Sequence, residues 1–132
     1  MILLDTHALV WFWHGRSELG RVARRLVERE WRAGNAAVSA ITFWETAMLR
    51  ARGRIDLPAE PAAWRRALLD HGLVEIAVDG AIAARAGSLR DLHGDPADRL
   101  ILATALEGHR LLTADTRLLD WSGGASLLDA RR

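Results

Sequence analysis

The chain opens on an unbroken apolar run, Ile2-Leu3-Leu4, that Asp5 cuts short. Such a run, without polar alternation, predicts a strand buried on both faces. Ala8 to Trp13 then reads as a short helix closing near Gly15. Ser17 is placed to cap a second helix, Glu18 to Arg32, in which Leu19, Val22, Ala23, Leu26, Val27 and Trp31 follow helical spacing until Gly34 ends it. Ala36 to Ser39 is a weak strand signal, and Ile41 to Arg52 a helix stopped by Gly53. Pro61 suits the first turn of a helix over about Ala62 to His71, with Gly72 behind it. Val74 to Val78 reads as a strand, and Asp79 caps a helix extending to about His93. Asp95-Pro96 starts another helix, to about Gly108. Arg110 to Thr113 is a strand, Asp115 to Trp121 a short helix, and Ala125 to Leu128 a last strand.

Strands thus alternate with helices along the whole chain. That order predicts an α/β fold, a parallel sheet with helices on both faces. The 132 residues suit one domain over 1–132, and no linker or repeat interrupts them. No basic stretch precedes Ile2, and the run from Ala8 to Trp13 is too short to span a bilayer, so a cytoplasmic protein without a membrane anchor is expected.

Composition narrows the chemistry. There is no cysteine, which excludes thiol nucleophiles, disulfides and cysteine-held metals. All 18 basic residues are arginine. Without lysine there is no Schiff base, no P-loop lysine and no aspartyl-phosphate phosphatase; that last class also needs an aspartate where this chain has His7. The net charge of +1 gives no global pull on nucleic acid or membrane.

The acidic residues carry more information. Asp5 and Asp115 each follow a predicted strand, the address of the ligand crevice in open α/β sheets. Each would also serve as an ordinary helix cap. Glu45 lies one turn into a largely apolar helix, beside Phe43 and Trp44. Asp95, Pro96 and Asp98 fit the cap, first and third positions of a helix, yet aspartate is too short to complete a capping box, which leaves Asp98 projecting from the first turn. Clustered carboxylates repel and persist only if protonated or neutralised by a cation. An oxygen-only donor set points to a hard ion, Mg²⁺ or Mn²⁺, and to metal-assisted phosphodiester hydrolysis.

Four stretches, in order, carry a resemblance: Leu4-Asp5-Thr6-His7, Ser39 to Glu45, His93-Gly94-Asp95-Pro96-Ala97-Asp98-Arg99, and Leu112-Thr113-Ala114-Asp115. Together they resemble PIN-domain nucleases, specifically the VapC-like toxins of type II toxin–antitoxin systems. The resemblance implies a three-layer PIN-like sandwich around about five parallel strands, with Asp5, Glu45, Asp98 and Asp115 as catalytic, metal-binding acids. Thr113 falls on the family's hydroxyl position beside the last acid, and Thr6 adjoins Asp5. Asp120 competes with Asp115 for the fourth acidic position. The resemblance further implies Mg²⁺- or Mn²⁺-dependent RNA cleavage, inhibition by a small VapB-like antitoxin, and a homodimer. A catalytically inactive RNA-binding or scaffold module of the same fold is the alternative.

Among the remaining residues, Arg99, Arg110 and Arg117 stand near the acids in sequence and are candidates to contact RNA phosphates, Arg99 and Arg117 foremost. His93 precedes the Asp95-Pro96 turn and is expected to hold that loop; His7 and His14 do not make a convincing zinc pair across Gly15. Of six tryptophans, Trp11, Trp13 and Trp44 are candidates for an interface with a second copy or an antitoxin.

Overall fold

A computed structural model describes residues 1–132. Its elements run β1 (Ile2–Leu4), α1 (Thr6–His14), α2 (Arg21–Arg32), β2 (Ala36–Ser39), α3 (Ile41–Ala51), α4 (Pro61–Asp70), β3 (Val74–Ile76), α5 (Gly80–Ser88), α6 (Pro96–Ala105), β4 (Arg110–Thr113), α7 (Thr116–Leu119) and β5 (Leu127–Asp129). The strands form one five-stranded sheet in the order β3-β2-β1-β4-β5. Every pairing is parallel.

The period of two along each strand divides the core into two layers. Ile2, Leu4, Ala36, Val38 and Leu112 face a cluster with Leu9, Val27, Trp64 and Leu68, contributed by α1, α2 and α4. Leu3, Ala37 and Leu111 face the other way, onto Ile101, Leu102 and Leu118 from α6 and α7. The apolar run Ile2-Leu3-Leu4 is therefore continuous because both faces of the central strand are covered.

The chain winds outward from β1 through β2 to β3, then returns to the other side of β1 for β4 and β5. The reversal lies between β1 and β4, whose register pairs Leu4 with Leu112. At such a switch point the loops leaving the strands' carboxyl ends diverge and open a crevice.

Several element boundaries differ from those the sequence predicts, three of them instructively. The second helix begins at Arg21, not Glu18: Ser17 caps nothing, Leu19 is buried in the core, and Gly20 is the N-cap. Gly20 is required there because a Cβ would overlap the backbone of Arg131 and Arg132. Val22, expected on the apolar face, is 67% exposed. The helix after Asp79 ends at Ser88 rather than near His93. Leu89 is extended, and Arg99 donates to the carbonyls of Ala86 and Gly87. Those final carbonyls thereby gain a partner without another helical turn. The last strand is shifted toward the C-terminus, to Leu127–Asp129.

Candidate functional site

Asp5 leaves the end of β1 with its amide bonded to the Leu112 carbonyl at 3.1 Å, which fixes it beside Thr113 at the end of β4. One carboxylate oxygen, Oδ1, caps α1 by accepting from the Ala8 amide at 2.8 Å. The other, Oδ2, accepts from the Thr113 hydroxyl. The Thr113 oxygen in turn accepts the Asp115 amide at 3.0 Å. Asp115 caps α7 through the Arg117 amide at 2.9 Å. One hydroxyl thus ties two acids from the two strand ends together.

Asp98 arrives from the N-terminus of α6. Asp95 caps that helix, accepting from the amides of Ala97 and Asp98, with Pro96 at the first position, as the sequence predicts. Asp98 Oδ2 lies 2.8 Å from His93 Nε2 and 3.7 Å from Arg117 Nη2. Glu45 comes from α3, beside the buried Thr42, whose hydroxyl meets that of Thr6 at 3.2 Å. Asp5, Thr6, Glu45, Asp98, Asp115 and Arg117 all line one pocket of about 280 Å³, with His7, Trp11 and Asp95 at its walls.

Burial shapes the charge state of this pocket. It pushes Asp5 up to about 6 against the Thr113 and Ala8 hydrogen bonds, and Asp98 adds repulsion. Glu45 is raised by burial, opposed by the Thr6 hydroxyl, with Asp98 again adding repulsion. Burial also raises Asp98, opposed by the His93 hydrogen bond, while Asp95 and Asp115 repel it. Burial pushes Asp115 the same way, but hydrogen bonds from Arg117 outweigh it and hold this carboxyl low. Three acids that resist ionisation in one pocket form a place where a cation would be stabilised.

Asp120 lies elsewhere, as the C-cap of α7 in a groove with Leu127 and Arg131. Of the two candidates for the fourth acid, Asp115 is the one in the pocket. Arg117 is there as well, its side chain 60% exposed and paired with Asp115 at 3.2 Å. Arg99 is not. It lies outside the pocket lining, and its guanidinium donates to the carbonyls of Ala86, Gly87, Leu89, Leu92 and His93 and pins the loop between α5 and α6. Arg110 lies at the opposite end of β4, exposed beside Met1. A histidine also stands beside the acids. His93 holds the loop as expected, but its ring reaches the acids: one ligand-type atom from each of His93, Asp98 and Asp115 lies within 4.8 Å of the others. The signal available beforehand was its position five residues before Asp98, across the Asp95-Pro96 turn.

Comparisons with known proteins bear on the family and the fold. The PIN domain model matches residues 2–123. Ribonuclease VapC22 of Mycobacterium tuberculosis is 38% identical over 119 residues, which span 89% of this chain and 88% of that protein. Among solved structures, a toxin–antitoxin complex from Klebsiella pneumoniae superposes with a TM-score of 0.66 at 26% identity, covering 98% of each chain. FitAcB from Neisseria gonorrhoeae has a TM-score of 0.65 at 17% identity over the same 98% shares, a likeness of fold.

Proposed function

The chain belongs to the PIN-domain family, and from that premise we propose that it is a divalent-metal-dependent endoribonuclease, the toxin of a toxin–antitoxin pair, built as one domain over residues 1–132. The observation that carries the proposal is the convergence of Asp5, Glu45, Asp98 and Asp115 on one pocket at the switch point between β1 and β4. The identity to a protein named as a ribonuclease supports the same reading.

The donor chemistry fits Mg²⁺ or Mn²⁺, since carboxylate oxygens dominate and burial raises Asp5, Glu45 and Asp98 in its absence. In this reading Asp5 and Asp98 are the principal ligands, and Glu45 and Asp115 complete the site directly or through water. When bound, the ion supplies a Lewis acid that polarises the scissile phosphate and activates water. The chain's own part is positional. Thr113 holds Asp5 and the Asp115 backbone in fixed relation, and Thr6 and Thr42 stiffen the approach of α3. Arg117, its side chain 60% exposed beside Asp115, meets the phosphate charge of the RNA. The chain has no cysteine or lysine to act as a nucleophile, and in this reading water attacks the phosphorus.

The partners follow. A small VapB-like antitoxin would silence the enzyme, in keeping with the solved toxin–antitoxin relative. Trp13 and Trp44, 39% and 54% exposed, offer apolar anchors to the antitoxin or to a second copy in a homodimer. No helix is long and apolar enough to cross a membrane, and the cytoplasm is where such an enzyme would meet its RNA.

The test is RNA cleavage by the purified chain with Mn²⁺, with Mg²⁺ and with a chelator, beside Asp98→Asn. The proposal expects cleavage with either ion, none with chelator, and a loss of at least about a hundredfold in the variant, the scale on which removing a key electrostatic group acts. Equal cleavage by parent and variant would overturn it. RNA binding without cleavage under every ion condition would favour the inactive module.

A further inference from the structure

The His93 ring approaches the acidic pocket from the loop between α5 and α6, with Nε2 2.8 Å from Asp98 Oδ2. By distance alone it qualifies as a third ligand beside Asp98 and Asp115. The far side of the ring decides otherwise. Nδ1 is buried and has no hydrogen-bond partner. A neutral imidazole carries its single proton on one nitrogen or the other. If Nε2 gave its lone pair to an ion, the proton would sit on Nδ1, an enclosed donor with nothing to receive it. A ligating histidine normally gives that second N–H to a carboxylate, a carbonyl or water, and an orphaned buried donor is destabilising. With the proton on Nε2, the N–H meets Asp98 Oδ2 and only a lone pair is left without a partner.

The backbone that carries the ring is held in place. Arg99 Nη1 donates to the carbonyls of Leu92 at 3.0 Å and of His93 itself at 3.2 Å, and Nη2 donates to that of Leu89 at 2.8 Å. Arg99 follows Asp98 in sequence, so one helical turn carries both the acid and the clamp that presses the His93 loop against it.

We propose that His93 is a positioning residue for Asp98: its Nε2–H holds one carboxylate oxygen, leaves the other for the ion, and the ring itself does not ligate. The inference rests on the reading of the pocket as a divalent-ion site.

Two measurements on the full chain test it. Nitrogen-15 spectra of the metal-free parent, at a pH where free imidazole is neutral, should show the proton of His93 on Nε2. Calorimetric titration with Mn²⁺ is then run on the parent, His93→Gln and His93→Ala, with unfolding midpoints checking that each is folded. Glutamine places an amide donor near the Nε2 position but is a poor ligand for the ion. The expected result is Mn²⁺ affinity about 10- to 100-fold weaker in His93→Ala, the range for residues that orient a ligand, and largely restored in His93→Gln. A proton on Nδ1, unchanged affinity in His93→Ala, or His93→Gln as weak as His93→Ala would each overturn the proposal. A parent that takes up no Mn²⁺ overturns the ion-site reading together with it. A parent that binds Mn²⁺ as tightly as His93→Ala does overturns only the role of His93. Should both variants fail to fold, the tautomer in the parent still decides.

Discussion

The Thr113 hydroxyl donates to Asp5 Oδ2 across 108 positions of sequence. Its oxygen is already accepting the Asp115 amide, so its proton has one direction left to go. Both partners are buried. Thr113→Val keeps the shape and removes the donor, leaving a buried carboxylate oxygen and an amide without partners. We expect a loss of about 1–3 kcal/mol, the usual range for one unsatisfied buried group, read from urea unfolding, and much less in Thr113→Ser. A valine variant as stable as the parent would show that the hydroxyl does not hold the two strand ends together.

Asp5 also predicts how stability depends on pH. Its carboxyl titrates at about 6 in the fold against 3.8 when unperturbed, chiefly because it is buried. Between these values the folded, metal-free protein binds more protons than the unfolded chain. The contribution of this group to stability is therefore present below about pH 4 and is lost as pH rises through about 6. Relative to Asp5→Asn, the parent should lose up to about 3 kcal/mol between pH 4 and 7. Added Mn²⁺ should oppose that loss, because the ion needs the ionised acids. Denaturation of both proteins across this range, with and without the ion, is the check, and a constant difference between them would contradict the account.

Arg117 stands where an ion's charge would be felt, paired with Asp115 and 3.7 Å from Asp98. It offsets part of the negative charge of the pocket in the absence of metal. Arg117→Ala should therefore bind Mn²⁺ more tightly by calorimetry, by a few-fold, while its RNA cleavage at saturating ion falls. A variant that binds the ion no better, or cleaves as well as the parent, would remove Arg117 from the site's chemistry.

Arg99 has a different task. Its five carbonyl partners end α5 and fix the loop that carries His93. Arg99→Lys keeps the charge but cannot reproduce the planar fork, so it should loosen residues 86–93 nearly as much as Arg99→Ala. Hydrogen exchange in that loop should rise in both variants. Rescue by lysine would mean that charge alone matters there.

The sequence makes the strand ends and their acids readable because the signals are local. Ile2 to Leu4 is apolar throughout, Asp5 stops it, and Asp95-Pro96 carries its own capping geometry. Where local signals compete, distant contacts decide. Leu19 leaves the second helix because the core takes it, and Gly20 starts that helix because Arg131 and Arg132 cross it. The helix after Asp79 stops early because Arg99, eleven residues beyond Ser88, supplies partners to its last carbonyls. The same arginine reads as a phosphate contact from its place beside Asp98. Its real partners are invisible until the loop folds back, and so is the reach of His93 into the pocket.

The most direct measurement is the anomalous scattering of Mn²⁺ in crystals of the parent chain. The account predicts a peak in the pocket at the carboxyl ends of β1 and β4, with carboxylate oxygens of Asp5 and Asp98 at about 2.0–2.2 Å, the span expected for a hard divalent ion. Crystals grown in saturating Mn²⁺ with no peak there, or with the ion held only by carboxylates on the outer surface, would contradict it.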